Sequence, residues 1–393
     1  MQRPALFATL IVALAGGPLF AAVKVTQGVA VGNVVFTVTS QRDVYALTAP
    51  GRPARLLGRL PRRASQLVSD GLAAWAVTTG ERQAPSLRLF QVQPASQAVL
   101  EYRLEPPSIG GRVRVDGVAG ADARYVYLKG DLRIDLLNRV VERGHLPAFP
   151  DLEVLGSARR EQETCYLARD RSAGEAGRLW LLHSGGRDAA SRTDPDGWLK
   201  VEAGAAARDV SLKADDGSLF LVFAEGRVLR FDRRSLRLAE DLSPMLRPGP
   251  IRFFAVDAHS YWVGQDAGPQ DEAPGGDAPD ATGPAAMTLW QIDREVLDGG
   301  AFHAGAVPAG FQPLDAGMGR IWYGSSAERH RVPLVAVSQA DGTARSYSIR
   351  GIHARRWAAV GHGFESAGEI VLVAGFATVA MGIVTLPIWI WFV

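Results

Sequence analysis

The chain has 393 residues, with 43 lysines and arginines against 41 carboxylates and a formal net charge of +2. Arginine far outnumbers lysine, but the arginines are interspersed with Asp and Glu. That is the pattern of a solvated surface and excludes a clustered nucleic-acid footprint, so no nucleic-acid partner is expected. With a single cysteine no intrachain disulfide is possible, while Gly 43 and Pro 23 suit a fold with many short turns.

In chain order, residues 1–22 read as a signal peptide or an N-terminal anchor. Arg3 supplies a positive start, Ala5 to Ala15 an apolar stretch, and Ala21 and Ala22 small residues where cleavage is plausible. Pro4 to Val23 is also uncharged for about 20 residues, just enough to span a bilayer. No cysteine and no twin arginine lies near this end. Cleaved or retained, the segment places the adjoining domain outside the cytoplasm.

Residues 23–362 read as one β-rich domain. Asn33 to Leu60, Arg124 to Leu146 and Ser218 to Leu242 each show an apolar run, a polar turn, an alternating run, another turn and a third run. Alternation over four to eight positions is the period of a strand with one buried face. In Gly226 to Asp232, Val228, Leu229 and Phe231 supply apolar contacts, while Arg227, Arg230 and Asp232 can face water. Leu72 to Leu104, Thr164 to Ser184, Ser260 to Asp293 and Arg320 to Ile349 fit the same template. Val113 to Val118, Val210 to Leu212 and Ile251 to Val256 precede their units as candidate innermost strands. A spacing of roughly 40 to 60 residues is that of a four-stranded propeller blade with insertions. The fold class expected is therefore all-β, a seven-bladed propeller, with Arg355 to Val360 returning to complete the first blade. Residues 264–286, rich in Gly, Pro, Ala and Asp, read as a flexible insertion. Their carboxylates, Asp266, Asp271, Glu272, Asp277 and Asp280, lack the alternating spacing of a calcium loop.

The phrases VVFTVTSQRDVYALTAPGR and SLFLVFAEGRVLRFDRRS resemble the repeats of quinoprotein-like (PQQ-type) β-propellers. The resemblance covers about Lys24 to Val360 and implies the propeller fold. The family's docking-tryptophan motifs and cofactor-pocket residues have no counterpart here, so it implies no cofactor. Trp75, Trp180, Trp262, Trp290 and Trp322 read as packing between blades, and Cys165 as a small buried residue in a strand. His145, His183, His259, His303, His330, His353 and His362 are scattered. No zincin, haem, Walker A or nucleophile-elbow motif occurs. Neither a catalytic residue nor a metal ligand is assigned.

Residues 363–369 read as a juxtamembrane linker and 370–393 as a transmembrane helix. Ile370 to Val393 is an unbroken uncharged run. As a helix it would be about 36 Å long, enough to cross a bilayer with some tilt. Trp389 and Trp391 fall where indole rings favour the headgroup level. Ala374, Thr378 and Gly382 recur every four residues, and Gly375 widens the same strip, so a close helix–helix contact is expected there. Arg350, Arg355 and Arg356 lie on the propeller side, where positive charge alone would argue for the cytoplasm. The N-terminal signal outweighs them, because Arg355 and Arg356 belong to the expected blade.

The function expected is a membrane-anchored propeller on the extracytoplasmic (periplasmic) side of the cell envelope. It would be a non-catalytic scaffold or accessory subunit of a membrane-protein complex. Its partners would be the lipid bilayer and integral membrane proteins, met through the C-terminal helix and the propeller surface. The alternative is an envelope enzyme of quinoprotein or lactonase type with its site at the channel mouth.

Overall fold

The computed structural model describes residues 24–347, apart from 49–51, 53, 84–86, 97, 105–111, 171–176, 185–197, 206–208, 257–259, 267–286, 295–302, 307–310, 318, 326–333 and 339–343. They fall in one compact unit, Val23–Ser348, and build an all-β propeller from seven four-stranded antiparallel sheets.

Sheet 1 comprises β1 (Val25–Val31), β2 (Val34–Thr39), β3 (Asp43–Leu47) and β4 (Arg55–Arg59). Sheet 2 comprises β5 (Val68–Ser69), β6 (Ala74–Val77), β8 (Arg88–Val92) and β9 (Leu100–Arg103), and β7 (Gly80–Gln83) and β10 (Arg112–Val115) form a separate two-stranded ribbon. Sheet 3 holds β11 (Val118–Ala121), β12 (Tyr125–Leu128), β13 (Leu132–Asp135) and β14 (Val140–Arg143). Sheet 4 holds β15 (Leu152–Arg160), β16 (Glu163–Asp170), β17 (Arg178–Ser184) and β18 (Trp198–Ala205). Sheet 5 holds β19 (Val210–Ala214), β20 (Ser218–Phe223), β21 (Arg227–Asp232) and β22 (Leu238–Asp241). Sheet 6 holds β23 (Ile251–Val256), β24 (Ser260–Asp266), β25 (Met287–Asp293) and β26 (His303–Ala306). Sheet 7 holds β27 (Phe311–Gly317), β28 (Arg320–Ser325), β29 (Leu334–Ser338) and β30 (Ala344–Tyr347).

The first strand of each sheet packs against that of the next, in the order β1, β5, β11, β15, β19, β23, β27, and β27 returns to β1. These are the inner strands. The second strands are covered on both faces, which is why VVFTVT and SLFLVF are buried at every position. A continuous apolar run suits a strand between two neighbours, whereas alternation suits one with a wet face. β21 falls between the two: Leu229 and Phe231 are buried toward sheet 4 and Val228 toward sheet 6, while Arg227 and Asp232 are exposed and Arg230 is half-covered beside Glu240 at 3.1 Å.

Each neighbouring pair from sheet 1 to sheet 7 shares its own apolar cluster. Second strands send one aromatic ring into the seam with the following sheet: Phe36, Trp75, Tyr127, Phe220 and Trp262. Fully burying one such ring stabilises by roughly 1.5–3 kcal/mol. In sheet 4 the corresponding side chain facing sheet 5 is Cys165. Trp322 is fully buried, and its Nε1 donates to Gly317 O at 3.0 Å. Trp180 and Trp290 are only partly buried and lie under cations, Lys200 Nζ and Arg247 Cζ, each 4.2 Å from the ring centre.

Three local expectations are corrected. Val113 to Val118 is not one inner strand: Val113 and Val115 belong to the ribbon, paired with Arg82 and Gly80, and the inner strand begins at Val118. The stretch read as an insertion from Gly264 falls inside sheet 6, between β24 and β25, and its first three residues are strand: Gly264, Gln265 and Asp266 pair with Leu289, Thr288 and Met287. Asp266 is held by Arg252 at 3.0 Å. Sheet 1 takes all its strands from Val25–Arg59, since Val25 to Val31 supplies the inner one; Arg355 to Val360 lie outside the described residues.

Candidate functional site

A sheet of four successive antiparallel strands reverses the chain three times, so the first strand starts and the fourth ends at the same edge. Repeated around the ring, this gives two faces. The proximal face carries the start of every first strand, the end of every fourth strand and the turns between second and third strands. The distal face carries the turns between first and second strands. Both ends of the described chain, Lys24 and Tyr347, are therefore proximal, on adjacent sheets 1 and 7.

On the distal face, three of the turns between first and second strands are built around an aspartate. Asp70 Oδ1 accepts the Leu72 and Ala73 amides at 2.8 and 2.7 Å. Asp122 Oδ1 accepts those of Arg124 and Tyr125, both at 2.6 Å. Asp215 Oδ1 accepts those of Gly217 and Ser218 at 2.8 and 2.7 Å. In each case Oδ2 reaches further. In Asp70 it accepts Trp75 Nε1 at 2.9 Å and Arg159 Nη1 of sheet 4 at 3.1 Å. In Asp122 it accepts the hydroxyls of Tyr127 and Tyr166 at 2.7 and 2.8 Å. In Asp215 it lies 2.8 Å from Arg294 Nη2 of the stretch after β25. Burial first, then the Asp122 charge, raises the pKa of both tyrosines, which stay neutral donors. The Arg159 amide also donates to Asp70 O. Gly71, at φ +98°, fits beneath: a Cβ there would lie 2.6 Å from Arg159 O. These carboxylates join sheets, and the positions they occupy are structural.

The seam between sheets 4 and 5 holds the cysteine. Cys165 and His183 are directly opposite on β16 and β17, and both are buried. The Cys165 thiol is pushed up to about 12 by burial, against the counter-effect of Arg233. Burial likewise lowers the His183 pKa, against Glu163, whose Oε2 lies 3.6 Å from Nε2, beyond hydrogen-bond reach. A neutral thiol beside a neutral imidazole is the reverse of an activated nucleophile pair. Arg233, also buried, ties the same seam together, donating to Asp215 O at 2.9 Å and Ala158 O at 3.1 Å. Among the described residues no three His, Cys, Asp or Glu side chains gather as metal ligands.

The proximal face of sheets 1 and 2 is different. Lys24 sits beside the β2–β3 turn, its amide donating to Ser40 Oγ at 3.2 Å and its carbonyl accepting the Ser40 amide at 2.7 Å. In that turn Arg42, at φ +69°, donates through Nη2 to Arg62 O at 3.2 Å and accepts the Leu60 amide on its own carbonyl. Arg63 O accepts both the amide and the hydroxyl of Thr79, one residue before the ribbon. Arg62, Arg63, Arg112 and Arg114 are exposed, Lys24 and Arg42 half-buried. The carboxylates in these segments are Asp43, buried against Arg59 at 3.1 Å, Glu81, and Asp116, 3.0 Å from Arg114. Arginines interspersed along the chain are thus gathered in space by the β2–β3 turn, the β4–β5 connection and the ribbon.

Ala374, Gly375, Thr378, Gly382, Trp389 and Trp391 lie outside the described residues. Among the described residues no helix is long and apolar enough to cross a membrane. The turn aspartates and the arginine cluster went unread in the sequence. The aspartates left one faint signal: Asp70, Asp122 and Asp215 each precede an aromatic residue by five positions.

No protein-family model matches the chain, and no curated protein matches its sequence. Solved structures similar in fold include PorZ, a bacterial surface component of the type-IX secretion system of Porphyromonas gingivalis, with TM-score 0.44 and 13% identity over 84% of this chain and 39% of that one. The designed protein Ika8 is similar at TM-score 0.40 and 12% identity, over 84% of this chain and 87% of that one. BamB from Moraxella catarrhalis is similar at TM-score 0.37 and 13% identity, over 78% and 81%. The chain thus spans about two fifths of PorZ. A likeness of this size transfers no function; the propeller stands on its sheets and their order.

Proposed function

We propose that the seven sheets are the blades of one closed propeller, anchored to a membrane and held on the extracytoplasmic side of the cell envelope. There it acts as a non-catalytic scaffold or accessory subunit of a membrane-protein complex. The observation that carries this reading is the common face of the two chain ends, Lys24 and Tyr347. The uncharged stretch Pro4 to Val23 ends immediately before the first, and the uncharged run Ile370 to Val393 comes after the second. An anchor at either end leaves the distal face turned away from the bilayer, open to partners.

Purification from native membranes in mild detergent tests the reading. Integral membrane proteins are expected to co-purify in fixed ratio. A bound organic cofactor or divalent metal, without a protein partner, would overturn it in favour of an enzyme. The tail strip Ala374, Gly375, Thr378 and Gly382 is proposed as the helix contact and Trp389 and Trp391 as interface anchors. Gly382→Leu is then expected to release the partners while the protein stays in the membrane fraction. Retained partners after exchange of the whole span for an unrelated apolar helix would move the contact to the propeller surface.

A further inference from the structure

We infer that the arginine cluster on the proximal face of sheets 1 and 2 is a docking surface for anionic lipid headgroups. The inference rests on the membrane-anchored reading and adds to it which blades meet the bilayer and through which residues. Lys24 comes directly after the uncharged stretch ending at Val23, and one residue spans at most about 3.6 Å. If that stretch is retained in the membrane, Lys24 and the β2–β3 turn are held at its surface. If it is cleaved after Ala22, the new α-amino group adds a cation at the same place. Arg42, Arg62 and Arg63 are linked to one another and to Lys24 through backbone contacts within the turn and the β4–β5 connection. Thr79 continues the surface to the ribbon, where Arg112 and Arg114 face solvent and Val113 and Val115 face the core. The ribbon is the one sheet among the described residues that is not four-stranded, and it presents arginine on its outer side.

Cations near an anionic leaflet each strengthen binding about five-fold, provided they lie within a Debye length of the headgroups. Seven cations (Lys24, Arg42, Arg59, Arg62, Arg63, Arg112 and Arg114) stand against Asp43, Glu81 and Asp116 in these segments. An acidic protein would also be attracted, but the position of the cluster, where the chain comes from the apolar segment, selects the lipid surface.

The test uses the full chain, reconstituted from detergent into phosphatidylcholine vesicles with and without phosphatidylglycerol. Flotation with both is expected. Backbone amide exchange at residues 60–65 and 112–116 should slow several-fold only with phosphatidylglycerol, and high salt should reverse it. The variant Arg62→Ala, Arg63→Ala, Arg112→Ala should lose the slowing, and the same three positions as lysine should keep it. Flotation with both vesicles and identical exchange would overturn the lipid surface and leave the anchor standing. Flotation only with phosphatidylglycerol, weakened about a hundred-fold in the triple alanine variant, would support the surface and overturn the anchor. Flotation with neither overturns both.

Discussion

Asp70 shows how much one short side chain holds. Its carboxylate is almost fully buried and accepts two amides, an indole N–H and a guanidinium from another sheet. Asp70→Ala leaves Arg159, 15% exposed, without its counter-charge, and breaking a buried pair from one side costs about 3–5 kcal/mol. A loss of that size in urea-unfolding free energy is expected. His183 gives a pH dependence of known sign. Burial depresses its folded pKa below the unfolded value of about 6.5. The unfolded chain therefore takes up the proton first. The contribution of neutral His183 is fully present above pH 6.5 and is lost as pH falls through the folded pKa. The urea midpoint should fall from pH 7.5 to 5.5, and by less in His183→Gln; an equal fall in both would show that other groups carry the acid sensitivity. Cys165, the sole cysteine, reports the same seam: its labelling by 4,4′-dithiodipyridine should accelerate on acidification in the wild type more than in the variant. That Cys165 is buried was readable, because a lone thiol in an apolar strand has no partner to serve. Asp70, Asp122 and Asp215 were not, because one aspartate in a turn looks like any other until its second oxygen is traced to another sheet.

At the level of elements, the strands between two neighbours declared themselves. β2 and β20 show as continuous apolar runs between turns, and β21 as a mixed run whose apolar residues are the buried ones. What failed was pairing over distance. Gly80–Gln83 and Arg112–Val115 meet across the whole of β8 and β9, and RVRV reads locally as the start of the next inner strand. Period alone cannot say which edge a short alternating run will join. The two sides of that ribbon should respond differently to truncation. Val115 is fully buried between sheets 2 and 3, so Val115→Ala is expected to cost about 2 kcal/mol. Arg114 is exposed and paired only with exposed Asp116, so Arg114→Ala should stay within about 0.5 kcal/mol of wild type. Chemical denaturation of the two variants side by side checks this.

At the scale of the whole molecule, two apolar sequence ends and one common face for the chain ends give a definite topology experiment. In intact spheroplasts, added protease should digest the propeller and leave a membrane-embedded tail fragment. A protected propeller would place it in the cytoplasm, as Arg350, Arg355 and Arg356 alone would suggest.

The way the ring shuts has a mechanical consequence. Each sheet takes its strands in chain order from one stretch of the sequence, and among the described residues none is exchanged between the first and the last. The junction of sheets 7 and 1 rests on β27 and β28 lying against β1, on the Ala30 amide donating to Asp315 Oδ2 at 2.7 Å, and on Gly324, where a Cβ would stand 2.5 Å from Val25 O. Every other junction is also crossed by the polypeptide itself. The described residues are thus joined like a split washer, with the cut between sheets 1 and 7, which hold the two ends of the described chain. Tension pulling those two ends apart would load that cut in shear before any other joint, and new termini placed at another junction would move the weak point with them.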